Sequence, residues 1–250
     1  MQPNLAAADV SVPERRLIRA GSLRKITARG GGGMTMRNYR WCVAIAAALL
    51  LTGCGGDGES GSGNGRAAAL TKGQVRQTLP DGEAMTGWKE SAQPTAVEMD
   101  KLYRSQACSI KDNAGCEDSR FYGASTFRHD GDAATVSFLI IAYDSEQAAR
   151  KAYDVLWDGY YGKRAGQRAK TFGIGPIGEE RDARFGSAGY NGEPGAVTQT
   201  RVGTTLLWTE TASANKSGIH EDQVRDLAAV LAERARQAQN GDVPSAALEG

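Results

Sequence analysis

Few side chains in this 250-residue sequence are of a type and spacing that could do covalent or acid–base chemistry. There are two histidines, His129 and His220. His129 begins His129-Asp130-Gly131-Asp132, which has the residues of a tight turn, and His220 stands where a helical stretch starts. Neither is placed as the base of a serine or cysteine nucleophile. Acidic pairs occur at Glu117-Asp118 and Glu179-Glu180. Glycan hydrolysis needs two carboxyls across a bond, but acidic pairs on loops are ordinarily solvated surface. Asp112, Asn113, Glu117 and Asp118 offer calcium the oxygens it takes, without the spacing of an EF-hand loop. The run Gly173-Ile-Gly-Pro-Ile-Gly178 spells G-x-G-x-x-G. Pro176 and the following Glu179-Glu180-Arg181-Asp182 suit a loop entering a strand, not a helix opening on a phosphate. Zinc at Cys108 and Cys116 would need two more ligands, and the histidines are badly spaced for it. No catalytic residue, metal or cofactor is expected.

The remaining constellation is aromatic. Tyr153, Trp157 and Tyr160 or Tyr161 fall on a similar face of one helical stretch, with Lys163, Arg164 and Arg168 just beyond. Amphipathic rings beside cations suit glycans, peptides or a membrane-associated partner, so the four rings are a candidate binding surface. The competing reading is that they close the edge of the core.

Upstream, Arg37 and Arg40 precede an apolar run from Trp41 to Leu51, the order of charged and apolar regions in a signal peptide. About eleven helical residues span roughly 16 Å, well short of the ~30 Å hydrocarbon core, so this run cannot be a stable transmembrane helix. It ends in Leu51-Thr52-Gly53-Cys54, which resembles the lipobox of bacterial lipoproteins. The resemblance implies cleavage between Gly53 and Cys54 and a thioether-linked diacylglycerol on Cys54. Two acyl chains, at roughly 0.8 kcal/mol per buried methylene, give stable anchoring where one chain does not. The expected location is the extracytoplasmic face of the cell membrane, with the membrane itself as a partner through the lipid. Residues 1–33 fit poorly ahead of such a signal. Gly30 to Gly33, just before Met34 and Met36, would be written in purine-rich codons, so this stretch is expected to be an untranslated upstream extension. With Cys42 removed and Cys54 lipidated, Cys108 and Cys116 remain, and in an oxidising exterior two cysteines pair.

Processing also changes the charge. Of 30 Lys and Arg and 29 Asp and Glu, the first 53 residues hold eight and two, leaving 22 against 27 and a mature charge near −5. No basic stripe remains to follow a phosphate backbone, so nucleic acid is not an expected partner.

Behind these residues stand the elements that must position them. Gly55 to Gly65 has the composition of a flexible coil, and residues 54–69 read as a tether that holds the domain some 20 Å from the headgroups on average. A globular domain is expected over 70–240 and a disordered tail over 241–250. Thr71 to Leu79 predicts a short helix stopped by Pro80-Asp81-Gly82, Trp88 a loop or short strand, and Ala96 to Ser105 a second short helix. Phe121 to Phe127 and Ala134 to Tyr143 predict a hairpin. In its second strand Val136, Phe138, Ile140 and Ala142 alternate with Leu139, Ile141 and Tyr143, so both faces are covered. Asp144 with Gln147 predicts a capping box, and Ala148, Ala152, Val155 and Leu156 the inner stripe of the following helix. The order then recurs as strands at Val197 to Val202 and Thr204 to Thr211, and a helix from about Gly218 to Gln239 lined by Val224, Leu227, Ala228, Leu231, Ala235 and Ala238.

Two strand-strand-helix units of this kind predict an α+β fold: an antiparallel sheet of about 4–6 strands with two long helices on one face. Element order, the cysteine pair and the segment Thr200-Arg-Val-Gly-Thr-Thr-Leu-Leu207 resemble the extracellular sensor-type domains of actinobacterial lipoproteins and membrane kinases. That resemblance brings no site residues with it. It implies a non-enzymatic binding or sensing module for an unknown protein or small ligand. The alternatives are an envelope hydrolase acting on peptidoglycan or peptides, and a structural partner of an envelope complex.

Overall fold

The computed structural model describes residues 67–249, except 130 and 132. The signal segment, Cys54 and most of the glycine tether lie outside the described residues. The chain runs α1 (Lys72–Thr78), β1 (Lys89–Glu98), α2 (Lys101–Ala107), β2 (Ser119–His129), β3 (Ala134–Tyr143), α3 (Glu146–Gly159), β4 (Lys170–Thr171), β5 (Glu180–Gly186), β6 (Gly195–Val202), β7 (Thr205–Ser213) and α4 (Glu221–Gln239). All the strands among the described residues join one 7-stranded sheet in the order β1-β2-β3-β7-β6-β5-β4, antiparallel at every pairing. Both strand-strand-helix units are present, as β2-β3-α3 and β6-β7-α4, and the sheet joins them by pairing β3 with β7.

The sheet is wider than 4–6 strands because β4 and β5 enlarge one end of it. β5 reads Glu-Arg-Asp-Ala-Arg-Phe-Gly and buries Ala183 alone, so no apolar alternation announces it. At the other edge, Lys89–Glu98 is a strand where Ala96 was expected to begin a helix. Pro94 has no N–H to give a ladder and is tolerated there because β1 pairs on one side only, with register shifts on either side of Ala92. The helix starts later, at Lys101, where the Asp100 carboxylate accepts from Tyr103 N at 2.9 Å.

The two long helices lie on opposite faces of the sheet, which corrects the one-sided expectation. α4 packs Val224, Leu227, Leu231 and Ala235 with Val136, Phe138, Ile140 and Ala142 of β3. α3 packs Ala149, Ala152 and Leu156 with Ile141, Tyr143, Leu206 and Trp208. The apolar alternation of β3 on both of its faces already required this, since one layer of helices cannot cover two surfaces. Two details of α3 also differ. Its N-cap is Ser145, accepting from Ala148 N at 3.2 Å, while Asp144 pairs instead with Arg120 at 3.3 Å. Val155 is exposed, because the buried arc takes in Tyr153 and Trp157.

α1 has the capping box its sequence spells, Thr71 and Gln74 each accepting from the other's backbone N–H. Its C-terminal end is closed from a distance. The buried guanidinium of Arg234 on α4 donates to the carbonyls of Thr78 (3.1 Å), Gln77 (2.9 Å) and Leu79 (3.4 Å). It also donates to the Ala246 carbonyl at 3.0 Å, and thereby holds the C-terminal segment. Residues 241–249 are therefore not the disordered tail expected: Leu248 N donates to Ala84 O at 2.8 Å and its side chain packs on the core. At the other end, Ala67 N donates to Glu146 Oε1 at 2.8 Å, so the domain begins ahead of Leu70.

Arg234→Met keeps the length of the side chain and removes every one of these donors. Leaving several buried carbonyls unpaired, at about 1–3 kcal/mol each, should lower unfolding stability by at least about 3 kcal/mol. Urea unfolding measures it, and a loss under about 1 kcal/mol would contradict the role given to Arg234.

Candidate functional site

α3 is fixed to its face of the sheet by polar as well as apolar contacts. Gln199 on β6 donates from Nε2 to the Tyr153 carbonyl (2.8 Å) and accepts from Trp208 Nε1 (2.8 Å). The Tyr153 hydroxyl donates to Asp182 Oδ2 at 2.9 Å, and burial with that carboxylate pushes the phenol well up. After the helix, Tyr161 opens a single 3-10 turn (Tyr161–Lys163), stacks on Trp208 at 4.2 Å and donates to the Ala107 carbonyl at 2.8 Å. Cys108 and Cys116 are bonded, with Cα atoms 6.1 Å apart. The bond closes a loop that packs against α3: Gly115 adopts φ +87°, and a Cβ there would lie 2.8 Å from Leu156 Cγ.

Beyond Gly159 the helix no longer covers the sheet. Along β3 on this face Ile141 is buried, whereas Leu139, Ser137 and Thr135 are half-exposed. Their partners on β7 repeat the change: Trp208 is buried, and Glu210 and Ala212 are half-exposed. The uncovered end holds a cavity of about 210 Å³ bounded by Thr135, Ser137, Arg164, Ala188, Val197 and Glu210.

Arg164 spans this cavity. Its Nη2 lies 2.7 Å from Glu210 Oε2, and its Nη1 donates to the Tyr160 hydroxyl at 2.9 Å. The pair is lopsided in depth: the Glu210 side chain is 14% exposed and that of Arg164 is 42%. Burial raises the Glu210 carboxyl above its ordinary range, and Arg164 partly offsets this. Glu210 Oε1 is buried and has no hydrogen-bond partner among the described residues. Beside it the Thr126 and Ser137 hydroxyls are 3.2 Å apart, and Thr135 Oγ1 donates to Ala212 O at 3.3 Å. Tyr103 stacks on Tyr122 at 6.1 Å, and the Tyr122 phenol is pushed up to about 12 by burial and then by Glu210, with Arg164 opposing and Tyr160 and Tyr103 adding.

The four aromatic residues singled out in the sequence thus divide. Tyr153, Trp157 and Tyr161 are buried core residues and present no open ring surface. Tyr160 is half-exposed and stands with Arg164 at the shelf. Glu210, Ser137, Thr135 and Tyr122 were not singled out. The available signal was Glu210 itself, a lone charge in β7 whose alternation places it on the face of Leu206 and Trp208.

The other candidates do not line this cavity. His129 packs on Trp88 at 5.2 Å, and His220 precedes α4, with its N–H donating to Gln223 Oε1 at 3.2 Å. Gly173 to Gly178 forms a loop entering β5. Glu117 and Asp118 border a hollow of about 330 Å³ near the disulfide, where Glu117 already accepts from Gly115 N at 2.8 Å. No group of three or more His, Cys, Asp or Glu side chains that could hold a metal occurs among the described residues, and no described helix is long and apolar enough to cross a membrane.

In class, this is a disulfide-bonded α+β domain whose antiparallel sheet has one partly open face. No family model and no curated protein sequence matches the chain. Among solved structures it is similar to the extracellular domain of PknH from Mycobacterium tuberculosis, with 10% sequence identity and a TM-score of 0.46. That match covers 70% of this chain and 100% of that one. The functional reading rests on this chain's own residues.

The raised Tyr122 phenol fixes a pH dependence. A group whose folded pKa lies above its ordinary value of 10.0 gives stability that is complete below that value and lost as pH rises towards about 12. Tyr122→Phe should therefore leave the thermal midpoint unchanged near neutrality and flatten its fall above pH 10. Identical alkaline slopes for variant and parent would refute the burial of this phenol in the folded state.

Proposed function

We propose that the chain is a non-enzymatic binding or sensing module, held at the extracytoplasmic face of the membrane by lipid on Cys54. The observation that carries the binding reading is the Glu210 side chain, which lines a cavity and whose buried Oε1 has no partner among the described residues. Buried polar atoms are nearly always hydrogen-bonded, and a carboxylate left half-satisfied is costly in a fold that gains nothing else from it. A ligand that donates to this carboxylate supplies what the chain does not. The shelf is built on the central strands β3 and β7, with α4 packed behind them and α3 beside the opening. Recognition favours such preorganised surfaces, because little freedom is lost on binding. A disulfide in the domain agrees with an oxidising compartment.

The anchoring half of the proposal is tested apart from the binding half. Cys54→Ala should move the protein from the membrane fraction to the soluble extracytoplasmic fraction while the Cys108–Cys116 bond still forms. Continued membrane association of the variant would overturn lipid anchoring at Cys54.

A further inference from the structure

We propose that the shelf formed by Glu210, Arg164, Ser137 and Thr135 binds a neutral saccharide unit; this deepens the binding-module reading and rests on it. Charge selects against ions. Arg164 and Glu210 compensate each other at 2.7 Å, so a bound cation would face the guanidinium and a bound anion the carboxylate. A neutral ligand with adjacent hydroxyls avoids both penalties, since one hydroxyl donates to the Glu210 carboxylate, whose side chain keeps 14% exposure, while its neighbour accepts from Arg164. The remaining polar groups are of the same kind: the hydroxyls of Ser137, Thr126 and Thr135 both donate and accept, and they lie on one face of adjacent strands.

Size and rim agree with one ring. A cavity of about 210 Å³ is smaller than the roughly 300–1,000 Å³ of pockets for drug-sized ligands, and its uncovered side leaves a chain free to continue outwards. Tyr160, half-exposed, stands against Arg164 at its edge, and aromatic faces suit the C–H surface of a sugar. The Tyr160 hydroxyl is already engaged by Arg164 at 2.9 Å, which fixes its ring before any ligand arrives.

The test uses the lipidated mature protein in lipid nanodiscs, so that no sugar-based detergent competes. Glucose, galactose, mannose, arabinose and the N-acetylglucosamine disaccharide are the probes, with glucosamine and glucuronate as charged counterparts. Saturation-transfer NMR reads contact, and titration reads affinity. At least one neutral sugar should bind saturably and more tightly than its charged counterpart. Glu210→Gln and Ser137→Ala should each weaken that sugar by about tenfold or more. Both variants keep shape and hydrophobic burial, and an unchanged near-ultraviolet dichroism spectrum checks that they fold. Absence of binding by every neutral sugar, or binding indifferent to both variants, overturns the saccharide assignment. Capture of a peptide or amino acid that is lost in Glu210→Gln would overturn it too, while the binding-module reading stands. Hydrolysis of a bound disaccharide would overturn the non-enzymatic reading instead.

Discussion

The pairing of β3 with β7 is the constraint on which the remainder of this structure depends. It joins Thr135 to Ala212 across 77 positions of chain and makes one sheet of two halves, β1-β2-β3 and β7-β6-β5-β4, that would otherwise each end in an open edge. Closing so long a loop costs entropy that grows only slowly with length, and the gain is the burial of β3 on both faces at once. Val136, Phe138 and Ile140 meet α4 while Ile141 and Tyr143 meet α3, so neither helix layer has a complete partner surface until the ladder exists. Gln199 meets Trp208 within the β6–β7 ladder itself, and reaches Tyr153 of α3 once these strands are set beside β3.

The open shelf is a consequence of lengths. β3 has 10 residues, roughly 34 Å at about 3.4 Å each, whereas the 14 residues of α3 reach roughly 21 Å at about 1.5 Å each. Even laid along the strand, such a helix leaves part of it bare. Tyr161 decides which part, by stacking on Trp208 and turning the chain just short of Glu210. Arg164 emerges three residues later and becomes the wall of the cavity. Helix length and one aromatic stack thus position the site without any element devoted to it.

Much of this was legible in the sequence, and what was not has physical reasons. The hairpin β2–β3, the strands β6 and β7 and the helix α4 carry strong alternation or helical periodicity, because each has one or two wholly buried sides. β5 and β4 carry charged side chains on half-solvated faces and so look like loop. β1 looked partly helical because Ala96 to Glu98 lacks a turn signal until Asp100 caps the next helix. Periodicity gives the buried stripe of each helix but not which face of the sheet receives it. The site divided in the same way: Tyr160 and Arg164 stood out as an aromatic and basic cluster, while Ser137, Thr135 and Glu210 pass for ordinary polar positions of a strand until the register sets them side by side.

Three buried or nearly buried charged groups show why Glu210 differs from structural polarity. Arg234 is closed by the carbonyls of Gln77, Thr78, Leu79 and Ala246, and these bonds tie both ends of the domain to α4. Arg201 is closed by Glu179, Glu180 and the Gly203 carbonyl, and ties the start of β5 to β6. Removing either would orphan groups that the fold itself needs paired. Glu210 satisfies one oxygen through a half-exposed arginine and leaves the other bare, and the segment of that arginine is already held to β7 by the Tyr161–Trp208 stack. An apolar residue there would extend the surface of Leu206 and Trp208 at no desolvation cost, since isolated buried ion pairs seldom stabilise more than well-packed hydrocarbon does. Departures from local consistency of this kind concentrate at functional sites, and Glu210 is such a departure on a stretch of β7 that α3 leaves uncovered.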